Sequence, residues 1–258
     1  MRTLLLMVQF MTRYPIPVCM ELTASRLVRG MKWMPVVGLF IGLPASLLAV
    51  SLSPLVGYEV AVLIGLIFQI GVTGGLHLDG LADSADGLFS YRPRERVLEI
   101  MRDSTLGTNG VVALCLTILS KYVLLQSMPQ TCGFIVLVAV PILGRTAAVW
   151  HAASAGYARE GEGMGRFVNQ TTLRQGWAAL LCSFVLLGVV FAVAGLSLWS
   201  LLLLLFCLHA LCVCIAVFLA RYMIGRIGGI TGDTIGATIE LTEVFSLFFF
   251  LLIWSMDL

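Results

Sequence analysis

Three aspartates in one polar segment are the residues of this sequence best suited to chemistry. Asp79, Asp83 and Asp86 lie within residues 74–87 at spacings i, i+4 and i+7, so a helix would place all three carboxylates on one face. Like charges this close repel unless a cation lies among them, and carboxylate oxygens suit Mg²⁺ or Mn²⁺. The segment therefore predicts a Mg²⁺ site that faces substrate phosphates. A solvated acidic face, or pairing with nearby arginines, is the alternative.

A second polar cluster occupies residues 228–243 and opens an apolar run. Glu240 and Glu243 fall on one face of the predicted helix, and Asp233 aligns with Glu240 if that helix begins early. The glycine-rich start would let the backbone approach an anion. The alternative is structural, because acidic side chains are stabilised near a helix N-terminus.

Two arginines are candidates for contact with phosphate. Arg102 ends a short amphipathic helix predicted over 93–103, whose apolar stripe (Val97, Ile100 and Met101) would lie on the membrane surface. It stands between that helix and a glycine turn, where a guanidinium could bind phosphate oxygens. Arg145 lies inside an apolar run, and a structural ion pair and a phosphate contact are equally compatible with that position.

The remaining isolated polar residues are less informative. His77 neighbours the aspartates and could act as a base or as a partner of the site. His151 is predicted near the membrane interface, and His209 is predicted to be a packing or hydrogen-bonding residue. Lys121 lies near the outer end of its apolar run, so its ammonium is expected to reach the membrane surface.

The composition shows which elements must position these residues. The chain has 258 residues, of which 59% are hydrophobic and 12% charged, whereas soluble domains carry about 25% charged residues. A net charge of +2 leaves no basic surface for nucleic acid. We therefore predict an all-α, polytopic integral membrane protein with a single domain over residues 1–258. Seven segments are long enough to span a bilayer: 34–56, 59–76, 110–128, 132–153, 176–196, 198–219 and 237–255.

The basic residues predict the orientation of these spans. Lys and Arg occur before the first span and after the second, fourth and sixth, and the other connections have none. The positive-inside rule then places the N-terminus in the cytoplasm and the C-terminus outside. All acidic residues except Glu59 and Asp257 lie on the same side or just inside it. The sequence thus predicts a Mg²⁺-dependent, phosphate-handling site that is open to the cytoplasm.

Five motifs give the chain a family resemblance. Residues 74–87, GGLHLDGLADSADG, resemble the signature of the cobalamin synthase family, the adenosylcobinamide-GDP ribazoletransferases. Residues 10–17, 102–110, 144–146 and 231–240 are similar to the other motifs of that family, in the same order along essentially the whole chain. Asn109 departs from the pattern, since many members have histidine there, and no role is assigned to its side chain.

The resemblance implies the last assembly step of the cobalamin nucleotide loop. Members transfer the cobinamide-phosphate group of adenosylcobinamide-GDP to α-ribazole or its 5′-phosphate, release GMP and depend on Mg²⁺. It also implies an inner-membrane protein of a prokaryote, in contact with the lipid bilayer and with no nucleic-acid partner. It leaves open a homo-oligomer and association with other nucleotide-loop assembly enzymes.

Together, the residues and the resemblance predict three groups of site residues. Asp79, Asp83 and Asp86 would hold Mg²⁺; Arg102, Arg145, Asp103, Thr231 and Glu243 would bind substrate and its phosphates; and His77, Asp233 or Glu240 would take the proton. Two other functions remain alternatives. One is an ion-coupled transporter that uses Glu240 and Glu243, and the other is a Mg²⁺-dependent intramembrane prenyltransferase.

Overall fold

The described chain is helical. The structure, a computed structural model, describes residues 2–18, 20–160, 164–193 and 197–255, so residues 194–196 of the fifth predicted span and Asp257 lie outside it. Its α-helices are α1 Arg2–Met11, α2 Ala24–Gly30, α3 Met34–Val56, α4 Tyr58–Thr73, α5 Leu76–Leu88, α6 Arg94–Ile100, α7 Thr108–Gln126, α8 Gln130–Ser154, α9 Leu173–Val193, α10 Leu198–Ile227 and α11 Gly232–Ser255. Short 3₁₀ segments occupy Met31–Trp33 and Met164–Gln170.

The predicted all-α membrane architecture is confirmed. Within the described residues, six helical segments are long and apolar enough to cross a membrane, or seven if the bent pair α4 and α5 counts as one span. The first of them runs continuously from α2 through α3, over Ala24–Val56. Most predicted boundaries agree within a few residues, but α10 continues to Ile227 instead of ending near 219. Its last turns stay helical because Ala220, Met223 and Ile227 repeat at helical spacing on a buried face.

Helix α8 is the centre of the bundle. Almost every residue from Val136 to Ala152 is buried, and α3, α9, α10 and α11 all pack against it. Glycines on α3 allow the closest of these contacts, because a Cβ atom at Gly42 would lie 2.7 Å from the carbonyl oxygen of Val138. The core is thus built around α8, which is covered by other helices on every side from Val136 to Ala152.

The arginine-bearing connections meet at one end of the bundle. Arg94 Nε donates to the carbonyl of Ile227 at 2.8 Å and its Nη2 to that of Ala158 at 2.9 Å. Arg226 Nη2 donates to the carbonyl of Leu88 at 2.9 Å. These bonds join the segments that follow α5, α8 and α10. The alternation of connections with and without basic residues therefore predicts correctly which connections meet at one end of the bundle. That this end faces the cytoplasm stays a prediction.

The apolar residues of α6 pack inside the protein, whereas the sequence predicts that they face the membrane surface. Val97 and Met101 are each only 2% exposed, and they pack where a Cβ atom at Gly87 of α5 would otherwise stand. The stripe is apolar because it covers α5. This packing matters for the site, because α6 supports α5, the helix that carries Asp79, Asp83 and Asp86 and is called the aspartate helix below.

Candidate active site

A break between α4 and α5 sets the direction of the aspartate helix. Gly74 and Gly75 have φ angles of +62° and +71°, a left-handed backbone that glycine adopts without the steric cost of a Cβ atom. The two helices consequently meet at a bend of 83°. The predicted second span, 59–76, reaches this break: α4 ends at Thr73, and α5 begins at Leu76 in a new direction. The three aspartates nevertheless share one helix, as their spacing predicts.

Helix α5 lies against α11 and α7, with its aspartates on the less buried side. His77, Leu81 and Ser84 are buried, while Asp79 is exposed and Asp83 and Asp86 are partly exposed. The i, i+4, i+7 spacing thus matches the face that the fold leaves accessible. This arrangement keeps the three carboxylates on the accessible side of α5 while its opposite face packs.

Close backbone contact joins α5 to the start of α11. A Cβ atom at Gly80 would lie 2.7 Å from the carbonyl oxygen of Asp233, and one at Gly236 would lie 3.1 Å from the carbonyl oxygen of His77. Backbone atoms cannot move aside as a flexible side chain can. The two polar segments therefore approach each other because both present glycine at the crossing.

We predict that Gly80→Ala separates these two helices. The added methyl group must push the α5 backbone away from Asp233, and overpacking of this kind costs about 1–3 kcal/mol. A lower thermal midpoint in detergent would show it. Gly225→Ala is the matched control, because a Cβ atom at Gly225 of α10 meets nothing within 4 Å. A Gly80→Ala protein that melts like wild type would contradict the need for this close approach.

A groove of about 730 Å³ runs along the exposed side of α5, within the range usual for small-molecule sites. We name it the acidic groove. Asp79 and Asp83 line it, and neither carboxylate accepts a hydrogen bond or ion pair from the described residues. The other residues that line it are Arg13, Gly74, Gly75, Leu76, Leu78, Ala82, Arg102, Asp103, Ser104, Leu106, Leu114 and Ile118.

The loop after α6 supplies both signs of charge to the acidic groove. Arg102 and Asp103 lie side by side in its wall, as the sequence predicts. The backbone N–H of Thr105 donates to Asp103 Oδ1 at 2.9 Å, and this bond lowers the pKa of the Asp103 carboxyl. Asp103 is therefore ionised at neutral pH. The Arg102 guanidinium has no protein partner among the described residues and is free to bind an anion.

Asp86 has a different environment from the other two aspartates. Its Oδ2 accepts the N–H of Gly107 and its Oδ1 accepts the N–H of Gly110, both at 2.8 Å. These donors belong to the first turn of α7 and the residue before it, so the carboxylate of Asp86 caps the N-terminus of α7. Its negative charge is stabilised by the positive end of the helix dipole. Its metal role stays a prediction, while its observed role is to join α5 to α7.

The start of α11 brings a third carboxylate towards the aspartate helix. Asp233 Oδ2 accepts Arg159 Nη2 at 2.9 Å and the Thr231 hydroxyl at 3.1 Å, while no bond reaches its Oδ1 within the described chain. Asp79 and Asp233 both lie close enough to Asp83 to act on its charge. Arg159 is a residue that the sequence analysis missed. In the sequence, Arg159 is one of several arginines after α8, and no pattern distinguishes it from the others.

Thr231 serves the backbone of α11. Its hydroxyl accepts the N–H of Thr234 at 3.2 Å, and its own N–H donates to Thr234 Oγ1 at 3.0 Å. The side chain is fully buried. Thr231 was a predicted substrate contact, but the structure places it as a helix cap whose hydroxyl also supports Asp233.

Next to the acidic groove lies a buried set of charged residues, which we name the ion network. Arg145 of α8 pairs with Glu243 of α11, and its Nη2 lies 3.1 Å from His77 Nδ1 of α5. Lys121 of α7 pairs with Glu240 at 2.6 Å and also with Glu243. All of these side chains are at least about nine-tenths buried. Two positive and two negative charges therefore balance inside the bundle, and together with His77 they join four helices.

The ion network corrects the expectation for Lys121 and shows one of the two roles predicted for Arg145. Lys121 does not reach for the membrane surface, because its ammonium is held between two glutamates. Arg145 is used in an ion pair with Glu243 and a contact with His77, so of its two predicted roles the structural pair is the one observed. A signal was available: apart from Glu59 at the edge of one span, the predicted spans contain just these two bases and the two glutamates, and charges in a membrane pair with one another.

The other two histidines have structural partners. His151 is fully buried, with Nδ1 3.2 Å from the Ala216 carbonyl and Nε2 3.2 Å from Thr234 Oγ1, so the prediction that it lies at the interface is wrong. His209 bonds to the Leu205 carbonyl and the Ser183 hydroxyl, as expected of a hydrogen-bonding residue. His151 fixes the start of α11, and so contributes indirectly to the placement of Asp233.

A metal would have to complete its coordination with groups from outside the protein. Among the described residues, no three His, Cys, Asp or Glu side chains form a ready metal-binding cluster. Asp79 and Asp83 nevertheless offer unpartnered carboxylates one helical turn apart, next to a groove with room for a ligand. Mg²⁺ commonly binds through one or two carboxylates together with substrate phosphates and water. The donor set fits that mode.

The fold and the site define a class of protein: a polytopic membrane enzyme with a groove at one end of the bundle. In that groove, carboxylates and arginines have no partner among the described residues. Comparisons with known proteins then identify the family. The description of the family model that matches residues 3–251 is cobalamin-5-phosphate synthase. The chain belongs to this family. The search of solved structures gave no match.

Curated relatives cover nearly the whole chain. One from Clostridium acetobutylicum is 38% identical over 95% of this chain and 94% of its own. Others from Acetivibrio thermocellus and Listeria welshimeri are each 36% identical, over 98% and 99% of this chain and 98% and 100% of theirs. All three are named adenosylcobinamide-GDP ribazoletransferase.

Proposed function

We propose that the acidic groove is the place where this chain performs the adenosylcobinamide-GDP ribazoletransferase reaction for which its relatives are named. Family membership over nearly its whole length makes the chain an enzyme of cobalamin biosynthesis. In the proposed reaction, the cobinamide-phosphate group of adenosylcobinamide-GDP passes to α-ribazole or its 5′-phosphate, and GMP leaves. The observation that carries the assignment is that Asp79 and Asp83 line the groove together with Arg102, while Asp233 lies close enough to Asp83 to act on its charge.

Asp79 and Asp83 are the residues we propose to hold Mg²⁺. Both carboxylates lie in the wall of the acidic groove and have no hydrogen-bond or ion-pair partner among the described residues, whereas both oxygens of Asp86 already accept backbone N–H groups. Mg²⁺ held there would neutralise the pyrophosphate oxygens and stabilise the GMP that leaves. We therefore narrow the metal set to two aspartates and give Asp86 the task of positioning α5 against α7.

Asp233, which lies near Asp83, and Arg102, which lines the groove, have separate tasks in the transfer. A ribose hydroxyl oxygen of α-ribazole forms a bond to the phosphorus that bears cobinamide, and the bond from that phosphorus to the oxygen of GMP breaks. Asp233 accepts the hydroxyl proton through Oδ1, the oxygen that Arg159 and Thr231 leave free. Arg102 binds phosphate oxygens as negative charge develops on GMP.

The ion network supports this chemistry without touching the substrate. Glu240 and Glu243 are held by Lys121 and Arg145, and His77 lies on the buried face of α5. We therefore assign none of them the proton transfer, and prefer Asp233 among the three predicted bases because its side chain is 25% exposed. His77, Arg145 and Glu243 instead fix α5 against α8 and α11.

The arginines at the end of the bundle that holds the acidic groove indicate how the enzyme is oriented in the membrane. The connections that carry the acidic groove also carry the arginines that join α5, α6 and α10. We propose that this end faces the cytoplasm, in the inner membrane of a prokaryote, since positively charged connections are retained there. Both substrates would then reach the groove from the cytoplasm. A homo-oligomer and association with other nucleotide-loop enzymes are compatible with this placement.

Metal removal gives the direct test of the proposed function. Purified chain in phospholipid nanodiscs is incubated with adenosylcobinamide-GDP and α-ribazole, with Mg²⁺ or with EDTA. We expect GMP and the completed corrinoid in equal amounts with Mg²⁺, and neither with EDTA, because without the metal the carboxylates would repel the negatively charged pyrophosphate. Chromatography of both products measures it. Addition of excess Mg²⁺ after EDTA should restore turnover, which separates metal loss from unfolding.

The same assay decides against the two alternatives. A prenyltransferase would release inorganic pyrophosphate and need an isoprenoid acceptor. An ion-coupled transporter would move solute into sealed vesicles and form no GMP. Product formation that persists at full rate in EDTA would overturn the metal assignment while leaving the transferase assignment in place.

A further inference from the structure

We propose that Arg13 binds a phosphate group of adenosylcobinamide-GDP, as a second arginine of the acidic groove beside Arg102. The inference rests on the proposed function and adds a residue to the substrate site. It comes from the N-terminal segment before α2, which the transfer mechanism above does not use. The segment is distant in sequence from α5, and the fold brings it to the groove.

The contact between Arg13 and Gly74 places the side chain in the groove wall. Arg13 lines the groove together with Asp79 and Asp83. Its aliphatic part lies over the helix break, where a Cβ atom at Gly74 would collide with Arg13 Nε and would come within 3.3 Å of Cδ. Gly74 thus serves two purposes, because its left-handed backbone turns the chain and its missing side chain leaves room for the arginine.

The backbone around Arg13 is held by long-range bonds. The Arg13 N–H donates to the Val72 carbonyl at 2.7 Å, at the end of α4. The amide of Gln9 donates to the carbonyls of Ile16 and Val18 at 2.9 and 2.7 Å, and the Tyr14 hydroxyl donates to the Phe40 carbonyl at 2.8 Å. The segment is therefore fixed before substrate arrives, which reduces the entropy lost on binding.

The guanidinium of Arg13 is available for a ligand. The side chain is exposed, and it makes no hydrogen bond or ion pair with any described residue, although two free carboxylates share its groove. A planar guanidinium can bind two phosphate oxygens at once. A diphosphate ester offers non-bridging oxygens on both phosphorus atoms, so Arg13 and Arg102 can bind it without competing. A phospholipid headgroup offers the same phosphate chemistry and is the source that the experiment must separate.

The test compares Arg13→Gln with Arg29→Gln, an exposed arginine of α2 that does not line the groove. In phosphatidylcholine nanodiscs, we expect Arg13→Gln to raise KM for adenosylcobinamide-GDP about ten-fold to a hundred-fold, the usual cost of a lost charged hydrogen bond. KM for α-ribazole should not change. Calorimetric binding of GDP should weaken in parallel, Arg13→Lys should recover part of the loss, and Arg29→Gln should match wild type.

Each other outcome overturns the inference. An unchanged KM for adenosylcobinamide-GDP, in a variant with the thermal midpoint of wild type, would mean that Arg13 binds no substrate phosphate. An equal rise of both KM values would mean that Arg13 only shapes the groove. An effect seen with anionic phosphatidylglycerol and absent with phosphatidylcholine would assign Arg13 to lipid. Wild-type chain that forms no GMP would instead refute the proposed function itself.

Discussion

An Asp83→Asn protein is expected to lose about a hundred-fold or more of its Mg²⁺-dependent turnover, since metal stabilisation of phosphoryl transfer contributes several kcal/mol. The change removes a negative charge and keeps the size of the side chain. Asp83 has no hydrogen bond or ion pair to lose within the part of the chain that the structure describes, so its replacement should leave the thermal midpoint near that of wild type. Turnover measured against Mg²⁺ concentration should show the loss, with a higher concentration needed for half-maximal rate.

Two further variants make this result specific. Asp86→Asn should lower the thermal midpoint, because its carboxylate caps α7, and the loss of such a cap costs about 1 kcal/mol. Glu99→Gln removes a carboxylate from the exposed face of α6, where it pairs with Arg96, and should change neither property. Full Mg²⁺-dependent turnover by Asp83→Asn would refute the metal assignment. A loss confined to the thermal midpoint would assign Asp83 to structure.

The helices could be predicted from the composition and from the length of the apolar runs. Both depend directly on whether a segment is surrounded by lipid or by water. Apolar runs of spanning length gave the helices, and the alternation of arginines grouped the connections that share one end. The aspartate face followed from spacing alone, since i, i+4 and i+7 define one side of any helix. The helix break at Gly74 was different. Two adjacent glycines permit a left-handed turn, but only the packing of α5 across α11 and α7 makes the chain use it.

The partners of charged side chains were the part that sequence could not supply. Arg159 pairs with Asp233 across 74 residues, and Lys121 pairs with Glu240 across 119. No local pattern encodes such contacts, because they depend on which helices become neighbours. Charge balance within the spans would have paired Lys121 with a glutamate. It would not have distinguished that pairing from a shared site around Arg145.

The ion network and the acidic groove are adjacent, and this adjacency links stability to catalysis. Leu78 and Ile118 line the groove and also a small cavity of about 30 Å³, large enough for a water molecule, beside the network. Lys121, Arg145, Glu240 and Glu243 line that cavity as well. A change in the ion network should therefore shift Leu78 and Ile118 first. Only through these two residues should it reach the groups that bind substrate.

Lys121→Met is expected to destabilise the folded protein by about 3–5 kcal/mol, the usual cost of leaving a buried charge without its partner. The variant would leave Glu240 and Glu243 facing Arg145 alone, deep in the bundle. Unfolding by urea in detergent, followed by tryptophan fluorescence, measures the loss. Arg96→Met is the control, because its pair with Glu99 is more than 60% exposed on both sides and exposed pairs contribute little.

The double variant Lys121→Met/Glu240→Met tests whether the four charges act as one unit. It removes one positive and one negative charge, and the remaining pair of Arg145 and Glu243 is again neutral. We expect it to recover most of the stability that Lys121→Met loses, since methionine fills the vacated volume and no charge is left unpaired. If the two losses simply add, each side chain stabilises the bundle by its own packing, and charge balance is not what holds α7 to α11. Recovery of stability together with turnover would show that the groove needs a neutral network beneath it, whichever residues provide it.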